Sequence, residues 1–267
     1  MRTLEISQGS DGSAPALSLG GLSLHRGRIS TADLFVNDVE GWDTPPAVKG
    51  GPESNDSGDG DRMQPQHYAS RVVTIEGTVR AKRLADRAQA LRVIGGAAGN
   101  RLVPMAVTSA GLSSSAEVLL SGFEHDSLLA GAVSTRYTLV VKAPDPYRYG
   151  GWQAPVAMAS DVRTEGIFHR GNTDSPPVLR VSGSAPDGYR ISHEDGRYFE
   201  VLAPLVSGRL HIVDFATVRA YENGVAVSGY GRAQQLLVHK GMPQAMRIRP
   251  RSTGSVTAEL EVQDVWI

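Results

Sequence analysis

The sequence has no cysteine among its 267 residues. Disulfides, zinc–thiolate sites and thiol nucleophiles are therefore excluded together, and with them a disulfide-stapled secreted fold. No stretch approaches the roughly 20 apolar residues of a membrane helix, and the first seven residues are not followed by the apolar segment of a signal peptide. An excess of charge of one sign is also missing. With a net charge of -1, the composition favours neither nucleic acid nor an anionic membrane as a partner.

Helical periodicity is scarce as well. Residues 82–98 alone combine apolar spacing with charges on the opposite face, which predicts one helix that ends near Gly95-Gly96. Its apolar positions are Leu84, Ala88, Leu91 and Ile94. Glycine and proline are abundant instead, with 30 and 15 residues. Together they make up about 17% of the chain, against about 12% in average proteins. The many turns that this implies predict a mainly β protein.

Strand patterns lie on both sides of that helix. Val73, Ile75 and Val79 alternate with polar residues, as in a half-buried strand. Leucines around Gly20-Gly21 predict a hairpin or bulge near the start of the chain. Three strands are expected after the helix, at residues 101–108, 116–124 and 132–142. The first half of the chain is thus predicted to be a β domain with one helix.

The second half shows turn signals at roughly 8–14-residue spacing and no helical period, a pattern typical of an all-β sandwich. Asn223-Gly224 predicts a two-residue hairpin turn, because both residues tolerate positive φ. The candidate strands are residues 156–162, 178–183, 189–193, 198–201, 209–214, 218–221, 236–238, 246–250 and 255–267.

A domain boundary is expected at Pro144-Asp145-Pro146. A strand through residues 136–142 must stop there, because each proline lacks a backbone donor and the residues before them avoid the α region. The stop lies a little past the middle of the chain. We therefore predict domains at residues 1–149 and 150–267, with a junction stiffened by the two prolines.

Residues 43–67 differ in composition from their surroundings. Val48 and Met63 are their sizeable apolar side chains, and the rest is dominated by Pro, Gly, Asp, Asn and Ser. Such a segment buries too little surface to offset its ordering entropy. It is expected to be a long mobile loop or arm.

The search for catalytic and metal-binding patterns yields no site. Residues 55–66 partly mimic a calcium loop, but Gln66 replaces the final Glu and flanking helices are absent, so a solvated acidic loop is the better interpretation. The histidines do not form the paired motifs of zinc enzymes; they are His25, His67, His125, His169, His193, His211 and His239. No serine-nucleophile elbow or phosphate-binding loop is present. We predict no catalytic, cofactor-binding or metal-binding residues, and no enzymatic activity.

Two basic clusters and three tryptophans are candidate binding features. The clusters are Arg80-Ala81-Lys82-Arg83 and the alternating Arg247, Arg249 and Arg251, which would share one strand face. Contacts to phosphates or an acidic partner are one interpretation, and a solvated face is the favoured one. The tryptophans are Trp42, Trp152 and Trp266. They could anchor interfaces, but for Trp152 we favour packing beneath the domain junction. His193-Glu194-Asp195-Gly196 is expected to be a surface hairpin tip.

Six segments follow one another along the chain in a recognisable order: YASRVVTIEG (68–77), APDPYRY (143–149), FHRGN (168–172), PPVLRVSG (176–183), LHIVD (210–214) and DVWI (264–267). In this order they resemble the distal tail proteins of siphoviruses, the phage tail or minor tail proteins of the tail-tip hub. The likeness covers nearly the whole chain from Tyr68 onward.

This resemblance implies a structural virion protein. The N-terminal domain would form a ring, usually a hexamer, that joins the tail tube to the tail-tip or baseplate hub and lets DNA pass through its channel. The C-terminal domain would be a galectin-like β-sandwich. The implied partners are other copies of the chain, the major tail tube protein, the tail-associated hub protein, the tape measure protein and receptor-binding proteins. The protein would be assembled in the host cytoplasm, without inserting into a membrane or using a cofactor.

Two other functions are open at this point. The C-terminal sandwich could bind a cell-surface carbohydrate and act in host adsorption, although a shared fold is weak evidence for that. A tail-associated peptidoglycan hydrolase would need a zinc or carboxylate site that the sequence does not display.

Overall fold

The computed structural model describes residues 16–54, 59, 61–63, 65–109, 111–126 and 133–267. The chain divides into two compact units. One comprises the residues up to Arg148 together with Ile267, and the other is Tyr149–Trp266. The division falls just after the Pro144-Asp145-Pro146 segment.

The described part of the first unit contains twelve strands and one helix. They are β1 (Ala16–Leu19), β2 (Leu22–Ser23), β3 (Arg28–Ile29), β4 (Ala32–Glu40), β5 (Val48–Lys49), β6 (Pro52–Ser54), β7 (Asp61–Met63), β8 (His67–Tyr68), β9 (Arg71–Arg80), α1 (Leu84–Gly96), β10 (Val103–Ser109), β11 (Leu112–His125) and β12 (Ser134–Ala143).

The main strands of this unit are hydrogen-bonded in the order β2-β1-β10-β11-β12-β9-β4-β3. The long strand β11 changes partner along its length: residues 112–118 pair with β10, and residues 119–125 pair with β12 across a bulge. The hairpin predicted at Gly20-Gly21 is confirmed, because both residues have positive φ and Leu19 pairs with Leu22 across the turn.

Strand β9 confirms the predicted alternation. Arg71, Val73, Ile75, Gly77 and Val79 are buried, while the intervening residues are wholly or partly exposed. The buried side chains join one hydrophobic core with residues of β1, β4, β10, β11, β12 and the helix. One face of the sheet therefore carries the core of the unit.

The predicted helix is confirmed, but the predicted apolar face is partly wrong. Leu91 and Ile94 are buried as expected, whereas Leu84 is 47% exposed and Arg87 is buried in its place. Leu84 is the first helical residue. Apolar spacing alone did not fix the rotation of the first turn, where α1 meets the sheet.

The regular elements of the second unit are all strands. They are β13 (Arg148–Trp152), β14 (Val156–Met158), β15 (Arg163–Ile167), β16 (Val178–Ser184), β17 (Tyr189–His193), β18 (Tyr198–Val201), β19 (Leu210–Asp214), β20 (Arg219–Glu222), β21 (Val225–Ala226), β22 (Tyr230–Ala233), β23 (Gln244–Pro250), β24 (Ser255–Glu261) and β25 (Gln263–Trp266).

Two sheets of this unit enclose one core, as the predicted sandwich requires. Their orders are β14-β24-β16-β19-β20-β21 and β15-β23-β17-β18-β22, and side chains of both contribute to a single hydrophobic cluster. The turn between β20 and β21 confirms the Asn223-Gly224 prediction, with φ of +50° and +78°. The mainly β fold with one helix is thus confirmed.

Some strand predictions in this unit are wrong. Residues 236–238 form no strand, although Leu236 and Val238 are fully buried; Val238 makes one isolated bridge with Ser175. The predicted strand at 255–267 is interrupted at Val262, and the one at 156–162 ends at Met158. An apolar run predicts that its side chains are buried, but buried residues need not form a hydrogen-bonded strand.

Candidate assembly arm and its anchor

The described part of residues 48–68, which we call the arm, contains two antiparallel strand pairs. β5 pairs with β8 at the base, and β6 pairs with β7 further out. The register shifts by one residue between these two pairs, next to Gly50, whose φ is +83°. The sequence predicts a long mobile loop or arm at residues 43–67; the described part contains paired strands, and its mobility stays a prediction. Backbone pairing in a hairpin is local and does not need buried apolar side chains.

The base of the arm exposes two large side chains. Val48 is 50% exposed and Tyr68 is 41% exposed, and the two residues face each other across the β5–β8 pair. An isolated two-stranded hairpin is marginally stable in water. The arm therefore presents apolar surface that a second molecule could cover. Residues 55–58, on which the calcium-loop comparison partly rested, lie outside the described residues.

Arg71 anchors the root of the arm. Its guanidinium is buried, with 1% of the residue exposed, and Nη1 donates to the carbonyl oxygens of Gly41 at 2.9 Å, Trp42 at 2.7 Å and Thr44 at 2.7 Å. Its Nε donates to the carbonyl oxygen of Pro146 at 3.1 Å. A single side chain thus holds the segment that leads into the arm and the segment that follows β12.

A second arginine completes this anchor. Arg148 Nη1 lies 2.5 Å from Asp43 Oδ1, and its guanidinium lies over the Trp42 ring at 5.7 Å from the centroid. Trp42 itself is buried, with 2% exposed. It therefore packs in the core of the first unit instead of offering an exposed anchor. We call Arg71, Arg148, Asp43 and Trp42 the anchor cluster.

The electrostatics of the cluster follow from this crowding. Burial and, to a smaller extent, the nearby Arg148 lower the pKa of Arg71, Asp43 acts in the opposite direction, and the net pKa is about 10. Arg71 therefore keeps its charge at neutral pH, and its donors remain available to the four carbonyl groups.

Arg71 is not among the residues predicted from the sequence, although the sequence carries a signal for it. Arg71 occupies an inward position in the period-two pattern that Val73 and Ile75 continue. A charged residue in a buried register needs partners, so its position alone indicated a structural hydrogen-bonding role.

The histidines lie in several separate places. His169, His193 and His211 are buried, and His67 and His125 are exposed. Within the described residues, no group of three or more His, Cys, Asp or Glu side chains could hold a metal ion.

The segment around His193 is only partly as expected. Gly196, at φ +88°, forms a turn between β17 and β18. His193 itself is buried, however, and its Nε2 lies 2.7 Å from Gln244 Oε1. The turn is confirmed, and the surface position of His193 is wrong.

The remaining binding candidates take three different positions. Arg80–Arg83 connects β9 to α1. Arg247 and Arg249 are both exposed on β23, so the shared face is confirmed for these two; Arg251 lies beyond the end of the strand, so its predicted place on that strand face is wrong. Trp152 is 51% exposed within the chain, so the packed position favoured for it is wrong. Among the described residues, no helix has the length and apolar character needed to cross a membrane.

Comparison with known proteins places the chain by its fold. No family profile matches the sequence, and no curated protein is similar enough in sequence to count as a relative. Two structures of the phage P2 baseplate in its activated conformation, with calcium and with strontium, are each similar at a TM-score of 0.49, with 7% and 8% identity. Each comparison covers 94% of this chain and 98% of the other.

A stronger similarity is to the crystal structure of the SPP1 Dit protein, gp 19.1. The TM-score is 0.74 at 13% identity, over 96% of this chain and 100% of the SPP1 chain. That protein is described as a paradigm of the hub adsorption apparatus in phages that infect Gram-positive bacteria. The resemblance drawn from the sequence is thereby confirmed as one of fold, and the chain has the fold of the SPP1 Dit protein along nearly its whole length.

Proposed function

We propose that this chain is a structural protein of a phage tail tip. The observation that carries the proposal is the similarity to SPP1 Dit over 96% of this chain and the whole of the other. Because the likeness includes both compact units, it supports a shared role more strongly than a match to one common β-sandwich would.

In this proposal the first unit is the ring-forming domain and the second is the outer domain. The ring is a hexamer that joins the tail tube protein to the tail-tip hub, and DNA passes through its channel. A closed ring needs two different complementary patches on each subunit. The arm supplies one through Val48 and Tyr68, and the exposed apolar residues Phe35, Val72 and Leu112 are candidates for the other.

Native mass spectrometry of the purified full chain tests the ring. We expect a closed oligomer of six copies. Replacing Val48 and Tyr68 together by Asp should shift the chain to monomers, because two charges would have to be buried in the contact. Val225→Asp is the control, since Val225 is 71% exposed on the second unit. A chain that stays monomeric at every concentration and never joins a tail would refute the ring.

We also propose that the role is structural and not enzymatic. A zymogram against peptidoglycan should therefore show no clearing.

The alternative, carbohydrate binding by the sandwich, would be supported by saturable binding of the chain on a glycan array. Tyr198 is poorly suited as a platform for a neutral sugar, because the guanidinium groups of Arg190 and Arg232 lie 4.3 Å and 5.2 Å from its ring centroid.

A further inference from the structure

A polar pocket of about 530 Å³ opens on the second unit, beside the five-stranded sheet. Its lining includes Arg190 of β17, Glu200 of β18 and Arg249 of β23, together with Arg251, which follows β23. Its volume is in the range of small-molecule sites. Three guanidinium groups in one pocket indicate an anionic ligand.

Arg190, in the pocket lining, is held in place by neighbouring side chains. Its Nε and Nη2 donate to Glu200 Oε1 at 2.8 Å and 2.6 Å. The same guanidinium stacks on Tyr198, 4.3 Å from the ring centroid. A donor group fixed by three contacts loses little rotamer freedom when a ligand binds.

Arg249 stands directly opposite Arg190 in the β17–β23 register. Within the described chain it makes no hydrogen bond or ion pair, and it is exposed. Like charges directly opposite each other in a sheet are destabilising. The pair therefore has a repulsion that a bound anion between the two guanidinium groups would relieve.

The acidic groups nearby do not cancel this positive charge. Asp161 forms an ion pair with Arg247, which is not one of the three pocket arginines; its Oδ1 lies 3.1 Å from Arg247 Nε. Glu200 faces both Arg190 at 2.6 Å and Arg251 at 3.8 Å. One carboxylate thus serves two of the three guanidinium groups, and the third has none.

Glu200 also remains ionised. Its burial alone would raise the pKa of the carboxyl group, but the hydrogen bond and charge of Arg190 outweigh burial and lower it. Its negative charge is paired with Arg190 and Arg251. The guanidinium of Arg249 therefore has no carboxylate partner in the pocket and can bind a ligand.

We propose that this pocket binds the phosphate group of a phosphorylated sugar. A guanidinium fork matches two phosphate oxygens in a bidentate contact, and Arg249 and Arg251 line the pocket beside the fixed Arg190. The pocket is larger than a lone phosphate requires, so it has room for the attached sugar ring. The exposed Asp161 carboxylate also lines the pocket, and there it would accept hydrogen bonds from the sugar hydroxyls. This proposal does not depend on the ring.

Isothermal titration of the full chain with glucose 1-phosphate at low ionic strength tests the site. Saturable one-site binding is expected, tighter than that of inorganic phosphate, and glucose alone should not bind. Arg249→Ala should weaken binding about tenfold or more, the loss expected for a charge-assisted hydrogen bond. Arg219→Ala is the matched control, because Arg219 is likewise exposed and without a partner among the described residues, but lies on the other sheet.

Three outcomes would overturn the proposal. If Arg249→Ala and Arg219→Ala weaken the binding of glucose 1-phosphate equally, the loss comes from the lower net charge of the protein and not from a specific site. Equal affinity for inorganic phosphate and glucose 1-phosphate would remove the sugar from the site. A polyglutamate peptide could also displace glucose 1-phosphate when the two are compared at the same total concentration of negative charge. That result would show that the pocket binds acidic protein segments instead. Thermal unfolding of both variants verifies that they are folded.

Discussion

Arg71 Nε donates a hydrogen bond to the carbonyl oxygen of Pro146, 75 residues further along the chain, at 3.1 Å. The carbonyl oxygen belongs to the segment whose two prolines end β12. The same guanidinium binds three carbonyl groups at residues 41–44, just before the arm. The root of the arm and the end of the first unit's last long strand therefore share one anchor. A displacement of either segment would weaken the hydrogen bonds that hold the other.

Replacing Arg71 by Met should strongly destabilise the first unit. Four carbonyl groups would lose their donor, and each buried polar group left unsatisfied costs about 1–3 kcal/mol. We expect the free energy of unfolding to fall by about 3 kcal/mol or more. Urea unfolding of the full chain measures it. The control is Arg136→Met in the same sheet, where the side chain is exposed; a similar loss in both variants would contradict the anchor.

Gly77 and Tyr137 form a second close pair. They are register partners in β9 and β12, and a Cβ on Gly77 would lie 2.3 Å from the Tyr137 ring. Tyr137 is buried, which raises the pKa of its hydroxyl to about 12. Gly77→Ala should therefore cost about 1–3 kcal/mol, the usual cost of overpacking a core, measured by thermal or urea unfolding.

A double variant separates this clash from other effects of the new methyl group. In a Tyr137→Leu background the ring is gone, so Gly77→Ala should cost clearly less, and the two changes should not be additive. Gly96→Ala is the control, because a Cβ there meets nothing within 4 Å. Additive costs would show that the ring is not the obstacle.

Much of this fold follows from local patterns in the sequence. The alternation in β9, the single helix and the Asn223-Gly224 turn each depend on a few neighbouring residues, and each is confirmed. The strand pairs of the arm do not follow from the sequence pattern, because that pattern reports burial of side chains and the arm is held by backbone pairing. The exposed Leu84 depends on tertiary packing, which no single-segment period encodes.

The candidate sites likewise combine features that local sequence patterns predict with features that depend on distant segments. The shared face of Arg247 and Arg249 follows from strand alternation. That Arg249 faces Arg190, however, depends on the register between β23 and β17, which are separated by more than 50 residues. Likewise, the carbonyl partners of Arg71 come from two distant segments. Long-range register is what the sequence alone did not reveal.

His211 should make the second unit sensitive to acid. Burial lowers its pKa below the usual 6.5, with Glu222 acting weakly in the opposite direction, and its Nδ1 lies 3.2 Å from the Tyr189 hydroxyl. Because the folded state resists protonation, its contribution to stability is complete above pH 6.5 and is lost as the pH falls. Between about pH 7 and 5, unfolding free energy should fall more steeply in wild type than in His211→Gln. Equal slopes, or an NMR titration midpoint of His211 at or above 6.5, would contradict this.

The arm gives a prediction about assembly. Within the described residues its base is held by the Val48↔Tyr68 and Lys49↔His67 pairs and by the Ala69 amide, which donates to the Ala47 carbonyl oxygen at 2.7 Å. The side chains of both pairs are exposed, so few contacts hold the base closed in the free chain. Covering Val48 and Tyr68 by a neighbouring copy would add apolar burial and lower the opening rate of the hairpin. We therefore expect hydrogen exchange of residues 48–68 to slow in assembled tails relative to the free chain. The amides of β9, which lies inside its sheet between β4 and β12, serve as the internal reference and should change little. If the arm exchanges equally fast in both states, it does not order on assembly, and the contact between subunits must lie elsewhere on the first unit.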